Sequence, residues 1–531
     1  MFDVIIVGWG PTGMVAACLL GLAGYRVGVF ERYPATFKLP RVGAVHDDVF
    51  RVFQEIGIAE TILPATAAGT KYEMVHNGEV LFRTSLSAEA AHGWPQFISV
   101  FQPYFEAALE AVAKPMSNVE LRQGHRVVSV SQSSSHVEIE VEDVQTGALR
   151  KECGRYLIAA DGGNSFIRQF LGIESEFLGF EQDWLVVDAE KRRERIGWPE
   201  NQMICDPAAP AAVMQMGRYH RRWAFKIEAG LSLEDAVKPE AVWRRLDRPE
   251  GATRDDVTLI RHAAYRFTAQ LARSWRVQRV FLAGDAAHQM PPYLGQGMCS
   301  GIRDAQNLVS KLDHVMRGLA HEDFLDLYVV ERKANCRASI LESIRVGRMV
   351  IEDDPERVRE RDLALQSAQK QSTQQLVGYR IPGLKSGFIA RKGINRGAGE
   401  VFVQGQVLDR AGRQGRFDDV LGRGYLILAR KGDPVSALSE TQRVYWRSLG
   451  GRILTFNEAS SQGADGHFTD VGGWYAKLLD EFKANVIVKR PDYYVFGMYE
   501  SVQNLSVALE DVRDQLSASS SPEMLAQVPF L

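Results

Sequence analysis

The sequence predicts an α/β fold: a Rossmann-like domain interrupted by a β-sheet domain, with a further α/β domain at the C-terminus. Three observations carry this. At the N-terminus an apolar strand, a glycine-rich turn and a small-residue helix follow one another between Val4 and Ala23. Far along the chain a second apolar strand, Val280–Ala283, delivers Asp285 into another glycine-rich loop. Between them, residues 174–275 show strand-like alternation and many aromatic residues, including Trp184, Trp223 and Tyr265.

The bulk properties set the frame. A chain of 531 residues exceeds one ordinary hydrophobic core, and 45% hydrophobic with 24% charged residues is the balance of a folded protein. The net charge of −3, with no basic block, argues against nucleic-acid binding. The opening has no charged n-region or cleavage site, and no apolar stretch reaches the length of a bilayer span. The expected compartment is therefore the cytoplasm, with no membrane partner. Cys18, Cys153, Cys205, Cys299 and Cys336 are scattered without a C-x-x-C pair, so neither a metal site nor a disulfide framework is expected.

The N-terminal strand Val4–Val7 runs into Gly8-Trp9-Gly10-Pro11-Thr12-Gly13 and then the helix Met14–Ala23. In such a turn Gly8 permits the tight bend, Gly10 lets a pyrophosphate approach the backbone, and Gly13 lets helix and strand pack closely. Pro11 falls at the first helical position, where its missing N–H costs nothing. Phosphates would lie on the helix N-terminus, where free amides and the dipole favour negative charge. After Gly24, Arg26–Phe30 forms the second strand, and Glu31 at its end can bind a ribose hydroxyl pair. The turn by itself does not separate FAD from NAD.

In Arg279-Val-Phe-Leu-Ala-Gly-Asp285-Ala-Ala-His288-Gln-Met-Pro-Pro292-Tyr293-Leu-Gly295-Gln-Gly297, the strand brings Asp285 to its carboxyl end, where open α/β sheets place ligands. A carboxylate there suits a polyol such as the ribityl chain of a flavin. The following glycines bring bare amides to the start of the next helix, which could face the N1/O2 edge of the ring. The alternative is a structural strand–turn–helix in which Asp285 is a cap. A third segment, Tyr156-Leu-Ile-Ala-Ala-Asp161-Gly162, is again a strand ending in Asp-Gly, followed by Ser165 and Arg168. Asp-Gly turns are commonplace, so this one reads equally as function or as turn.

Single residues are weighed against ordinary packing. His288, in the loop after Asp285, is as much a hydrogen-bonded structural residue as a catalytic one. Tyr265 and Tyr293 can hydrogen-bond a ligand hydroxyl, although buried tyrosines often have structural partners. His46 can accept a proton, although most lone histidines are not catalytic. Met14, Met290 and Met298 read chiefly as packing.

The three motifs in this order resemble the FAD-dependent aromatic hydroxylases of the p-hydroxybenzoate hydroxylase fold. The stretch Ala283–Pro292, with Gly295-Gln-Gly-Met298 and Gly301-Ile-Arg-Asp-Ala, is most similar to the 3-(3-hydroxyphenyl)propionate, phenol and resorcinol hydroxylase branch. The resemblance implies a bound FAD held by Gly8, Gly10, Pro11, Thr12, Gly13, Glu31, Arg32, Arg41, Gln102, Asp161, Asp285, Pro292, Gly295, Gly297, Met298 and Cys299. Glu31 would bind the adenosine ribose and Asp285 the ribityl chain. Cys299 departs from the Asn usual after Gly-Met, and His46 from a frequent Asp, which weakens transfer of an exact substrate.

The implied organisation is an FAD-binding domain from residues 1–70, 101–173 and 276–350, and a substrate domain from 71–100 and 174–275. A helical region and connector would follow at 351–399. Segments Arg416-Phe-Asp-Asp-Val-Leu-Gly and Lys489-Arg-Pro-Asp-Tyr-Tyr-Val-Phe-Gly resemble a thioredoxin-like domain over 400–531. It contains no cysteine, so its implied roles are packing and subunit contact, as in a homodimer.

The implied activity is NAD(P)H- and O₂-dependent hydroxylation of a phenolic ring through a flavin C4a-hydroperoxide. His46, Tyr265, Tyr293 and His288 are the catalytic candidates. Two other readings are a polyketide hydroxylase of the same plan and a flavin-bound scaffold or sensor without turnover. NADH and NADPH are not distinguished.

Overall fold

The computed structural model describes residues 1–194, 197–371, 382–459 and 461–518, in two compact units. The first comprises Met1–Ala88, Pro95–Ala305 and Cys336–Arg380. Its first sheet runs in the order Arg276–Val277, Val280–Leu282, Leu149–Ala159, Phe2–Val7, Val27–Glu31, Val119–Gln123, and from Val280–Leu282 onward the neighbours are parallel. Such strands are covered on both faces, which is why Val4–Ile6 and Leu157–Ile158 are wholly buried apolar runs. Register positions the site. Val7 lies opposite Ala159, and Ala159 opposite Leu282, so Gly8, Asp161 and Asp285 all follow the carboxyl ends of three adjacent strands. The helix Pro11–Leu22 begins on Pro11, as the missing N–H allows, and its small residues are almost all buried.

The second sheet has eight strands, in the order His288–Gln289, Val257–Ala272, Ser175–Lys191, His220–Lys226, Ala211–Met216, Asn201–Ile204, Lys71–His76, Glu79–Ser85. In its long central pair, Leu185, Val187 and Ala189 of one strand pack in a core with Trp223, Val242 and Leu246, and Arg266, Phe267 and Thr268 of the other line the cavity described below. Phe97–Ser99, expected in this part, instead joins Ala44–His46 and Ala67–Ala68 in a small separate sheet.

The second unit comprises Glu89–Trp94, Gln306–Asn335 and Ile381–Leu531. Its mixed sheet contains the order Arg452–Phe456, Leu426–Ala429, Val486–Lys489, Val495–Tyr499, with one parallel pair followed by an antiparallel hairpin. This is the βαβ–ββα arrangement of a thioredoxin-like core. The expected boundaries need correction here. Residues 306–335 fall in this unit because Phe324, Leu327 and Val330 enter its core. Lys311 and Glu331 also join its buried network with Arg490 and Asp492. Residues 89–94 join it too, with the Arg416 guanidinium 3.5 Å over the Trp94 ring. The helical stretch expected over 355–375 is the helix Pro355–Lys370, and residues 372–381 lie outside the described residues.

Candidate active site

One cavity of about 800 Å³ in the first unit receives side chains from both sheets. At one end is the glycine turn. Gly8 has φ +105, and a methyl group there would collide with the Ala160 carbonyl, so no other residue fits this bend. Gly10 faces open space within the cavity lining, as close approach of a phosphate requires. Gly13 does not line the cavity. It packs on the Gly8 carbonyl, and its role is the helix–strand contact alone.

Glu31 closes this end. Its two carboxylate oxygens accept the Trp9 and Tyr33 backbone N–H groups at 2.8 and 2.9 Å, and it faces the cavity beside Arg32. Each oxygen retains a lone pair for a sugar hydroxyl. Arg41 and Gln102 meet on the adjoining wall, where Gln102 Oε1 accepts the Arg41 and Val42 N–H groups at 2.8 Å each. Sequence reasoning missed Glu106, one helical turn beyond Gln102. It lines the same wall, and burial pushes its carboxyl up to about 7, against Gln102 and Arg41.

Asp161 is partly committed elsewhere. Ser165 Oγ donates to Asp161 Oδ1 at 2.6 Å and the Ile167 N–H to Oδ2 at 3.1 Å, so the carboxylate braces the helix Phe166–Phe170 while Asp161 and Gly162 line the cavity. Asp285, on the turn after the Val280–Leu282 strand, opens onto the cavity, yet enclosure by the protein raises its carboxyl above the ordinary range. Thr12 lines the cavity and packs against Gly284 and Gly301, fixing the two motifs together. Pro292, Gly295, Gly297 and Met298 line it at the start of the helix Gln296–Met316. These features fit FAD: bare turn amides for a pyrophosphate, Glu31 for a ribose, Asp285 for a ribityl chain and a helix N-terminus for the ring's O2 edge.

Cys299 is corrected. It is fully buried one residue beyond the cavity wall, and burial pushes its thiol up to about 11, so it is a packing residue. His288 is corrected as well. It does not line the cavity, and its ring lies fully buried with Nε2 2.7 Å from Asp304 Oδ2 and tilted on Trp275. Asp304 also accepts the Gly284 N–H at 3.1 Å, so this pair braces the turn that carries Asp285. Tyr265 is the third correction. It is absent from the cavity wall, its ring lying under the Arg261 guanidinium at 4.8 Å, four residues back along the strand.

His46 and Tyr293 do line the cavity. Burial, then the nearby Arg303, lowers the His46 pKa, so the imidazole is neutral near pH 7, with a hydrogen bond to the Leu294 carbonyl. Arg303 is itself held by Asp48 through two contacts of 2.6 and 3.0 Å. The Tyr293 ring packs edge-on against Trp184 and Phe180, each at 5.8 Å. Phe97, Met203, Met214 and Phe267 complete an apolar compartment around these two, together with Tyr72, Asn201 and Thr268, which sequence reasoning also missed.

Residues 1–343 match the family model described as an FAD binding domain, and residues 399–515 match the HcaD C-terminal domain. A probable NADH-specific resorcinol 4-hydroxylase of Rhodococcus jostii is 36% identical, over 95% of this chain and 93% of its own. A 3-(3-hydroxy-phenyl)propionate/3-hydroxycinnamic acid hydroxylase of Mycolicibacterium gilvum is 31% identical, over 92% and 88%. Among solved structures, a flavin-dependent monooxygenase in complex with FAD and substrate superposes with TM-score 0.81 at 20% identity, covering 97% of this chain and 99% of that one. Aklavinone-11 hydroxylase with FAD and aklavinone gives 0.74 at 22% identity, with the same coverage. At those identities the likeness is one of fold.

Proposed function

This chain belongs to the FAD-dependent aromatic hydroxylases, and from that premise we propose that it hydroxylates a small phenol, resorcinol-like in size, using NADH and O₂ in the cytoplasm. The observation that carries the reading is the continuity of one cavity, from the glycine turn and Asp285 to an apolar compartment containing His46 and Tyr293. The relatives named for resorcinol and for 3-(3-hydroxy-phenyl)propionate support a single-ring substrate over a polycyclic one. The relative named as NADH-specific supports NADH as the reductant.

FAD, held by the Gly8–Thr12 turn, Glu31, Arg41, Gln102 and Asp285, supplies hydride acceptance and oxygen activation when bound. The chain's own residues do the rest. Phe97, Met203, Met214 and Phe267 exclude water and orient the ring. Neutral His46, on the wall of that compartment, accepts the phenolic proton and makes the ring carbon more nucleophilic. The amides at Gly295 and Gly297, at the N-terminus of the helix Gln296–Met316, would offset negative charge on the bound ring.

The test is a screen of phenols for stimulated consumption of NADH and NADPH, with products identified by mass. A product one oxygen heavier, formed with NADH, supports the reading. A yellow protein that no phenol stimulates would leave a scaffold or sensor instead.

A further inference from the structure

The compartment around Tyr293 contains more unsatisfied polarity than packing explains. The Tyr72 and Tyr293 hydroxyls, Asn201 Oδ1 and Thr268 Oγ1 are all buried and lack a hydrogen-bond partner among the described residues. All four residues line the cavity, although they come from three strands and a turn. Buried polar groups are nearly always satisfied, and a cluster of exceptions on one cavity wall marks a place where a ligand completes them. The Trp184 indole N–H is the near neighbour of the Tyr293 hydroxyl, but neither completes a hydrogen bond. Tyr72 and Tyr293 are close enough to interact electrostatically, and burial raises both phenols, so both stay protonated and able to donate.

The charges in the cavity wall narrow the ligand. Arg222 is clamped by Asp188 at 2.6 and 3.0 Å and donates to the Arg41 and Pro40 carbonyls. Arg266 is clamped by Asp183 at 2.8 and 3.0 Å. Both cations that the second sheet contributes are thus neutralised. A carboxylate brought against this wall would lose its water without gaining a free cation from the second sheet, Arg41 standing instead beside Gln102, Glu106 and Asp285 at the dinucleotide end, whereas a neutral hydroxyl would gain donors and acceptors.

We propose that Tyr72 and Tyr293, with Asn201 and Thr268, hold the hydroxyl groups of an uncharged dihydroxylated ring, and that this wall selects against arenes bearing a carboxylate side chain. The assignment rests on the hydroxylase reading above and specifies its substrate class. It makes these residues specificity determinants that position the ring; proton removal is left to His46.

The experiment is calorimetric titration of the FAD-loaded protein with 1,3-dihydroxybenzene, phenol and 3-(3-hydroxyphenyl)propionate. Wild type, Tyr72→Phe, Tyr293→Phe and Thr268→Val are compared. Each Tyr→Phe change removes one hydroxyl and should weaken 1,3-dihydroxybenzene roughly three- to tenfold, with a smaller effect on phenol. The carboxylate-bearing ring should bind wild type at least about tenfold more weakly than the diol. If Tyr293→Phe fails to retain FAD, Tyr72→Phe and Thr268→Val carry the test. Unchanged diol affinity in the folded variants, or tighter binding of the carboxylate, overturns the assignment. If wild type binds the diol through these residues but no phenol stimulates NADH oxidation, the hydroxylase reading fails and the binding assignment stands.

Discussion

Gln102 Nε2 donates to Glu106 Oε1 at 2.8 Å, and the other Glu106 oxygen is buried with no partner among the described residues. The pair therefore joins a loop anchor to an acid that resists ionisation. Burial sets its pKa at about 7, Arg41 opposes that rise and Glu110 adds to it. Because the folded state holds this proton more tightly than the unfolded state, stability falls as pH rises from the ordinary value of 4.5 through about 7. Glu106→Gln should remove that fall, worth about 3 kcal/mol at the alkaline end. Thermal midpoints of the apoprotein across pH 5–8 check it: parallel curves for wild type and variant would show that Glu106 ionises freely.

Asp285→Ala should leave the fold intact and weaken FAD binding about 10- to 100-fold, since a charge-assisted contact to a polyol is lost at a position that opens onto the cavity. Fluorescence titration of the apoprotein with FAD measures this. Unchanged affinity would move the ribityl contact elsewhere.

His288 gives the opposite expectation. Burial alone would lower its pKa, but Cys336 and Asp304 raise it well above 6.5. Its pairing with Asp304 thus contributes stability that is complete below pH 6.5 and is lost as pH rises through the higher folded pKa. His288→Ala leaves Asp304 buried without this cation and should cost about 3–5 kcal/mol in denaturant unfolding. Product formed per NADH in the surviving protein should match wild type. A change in that ratio without loss of stability would restore His288 to the chemical step.

His46→Ala should lower hydroxylated product against H₂O₂ while leaving flavin reduction nearly unchanged. Removal of a general base costs about 10²–10⁴-fold in its own step and nothing in hydride transfer. Tyr265→Phe should leave the ratio unchanged, because the ring lies outside the cavity wall. Equal coupling in wild type and His46→Ala would make His46 a packing residue, and a defect in Tyr265→Phe would contradict the placement of that ring.

The dinucleotide end of the site was legible because its chemistry is local. A bend at Gly8, a bare amide at Gly10 and an acid at the end of the next strand are consequences of a few consecutive residues, so spacing alone reveals them. Strand register then had only to align Val7, Ala159 and Leu282 for three separated motifs to share one edge. The substrate end depends on pairing across the chain. Gln202 lies beside Glu73 in a parallel pair, which is what brings Asn201 and Tyr72 to one wall. Neither strand carries a signal for the other. Alternation gives Tyr265 and Phe267 the same face of one strand, yet only Phe267 lies far enough along it to reach the cavity. By itself, then, the sequence determined the fold class, the cofactor and the chemical family. The tertiary structure alone decided that His288 braces a turn, that Cys299 and Tyr265 stand outside the cavity wall, and that four unsatisfied polar groups line one cavity. Cofactor contacts are written in backbone conformation over short spans, whereas substrate contacts are made by side chains whose neighbours are fixed only when distant strands pair.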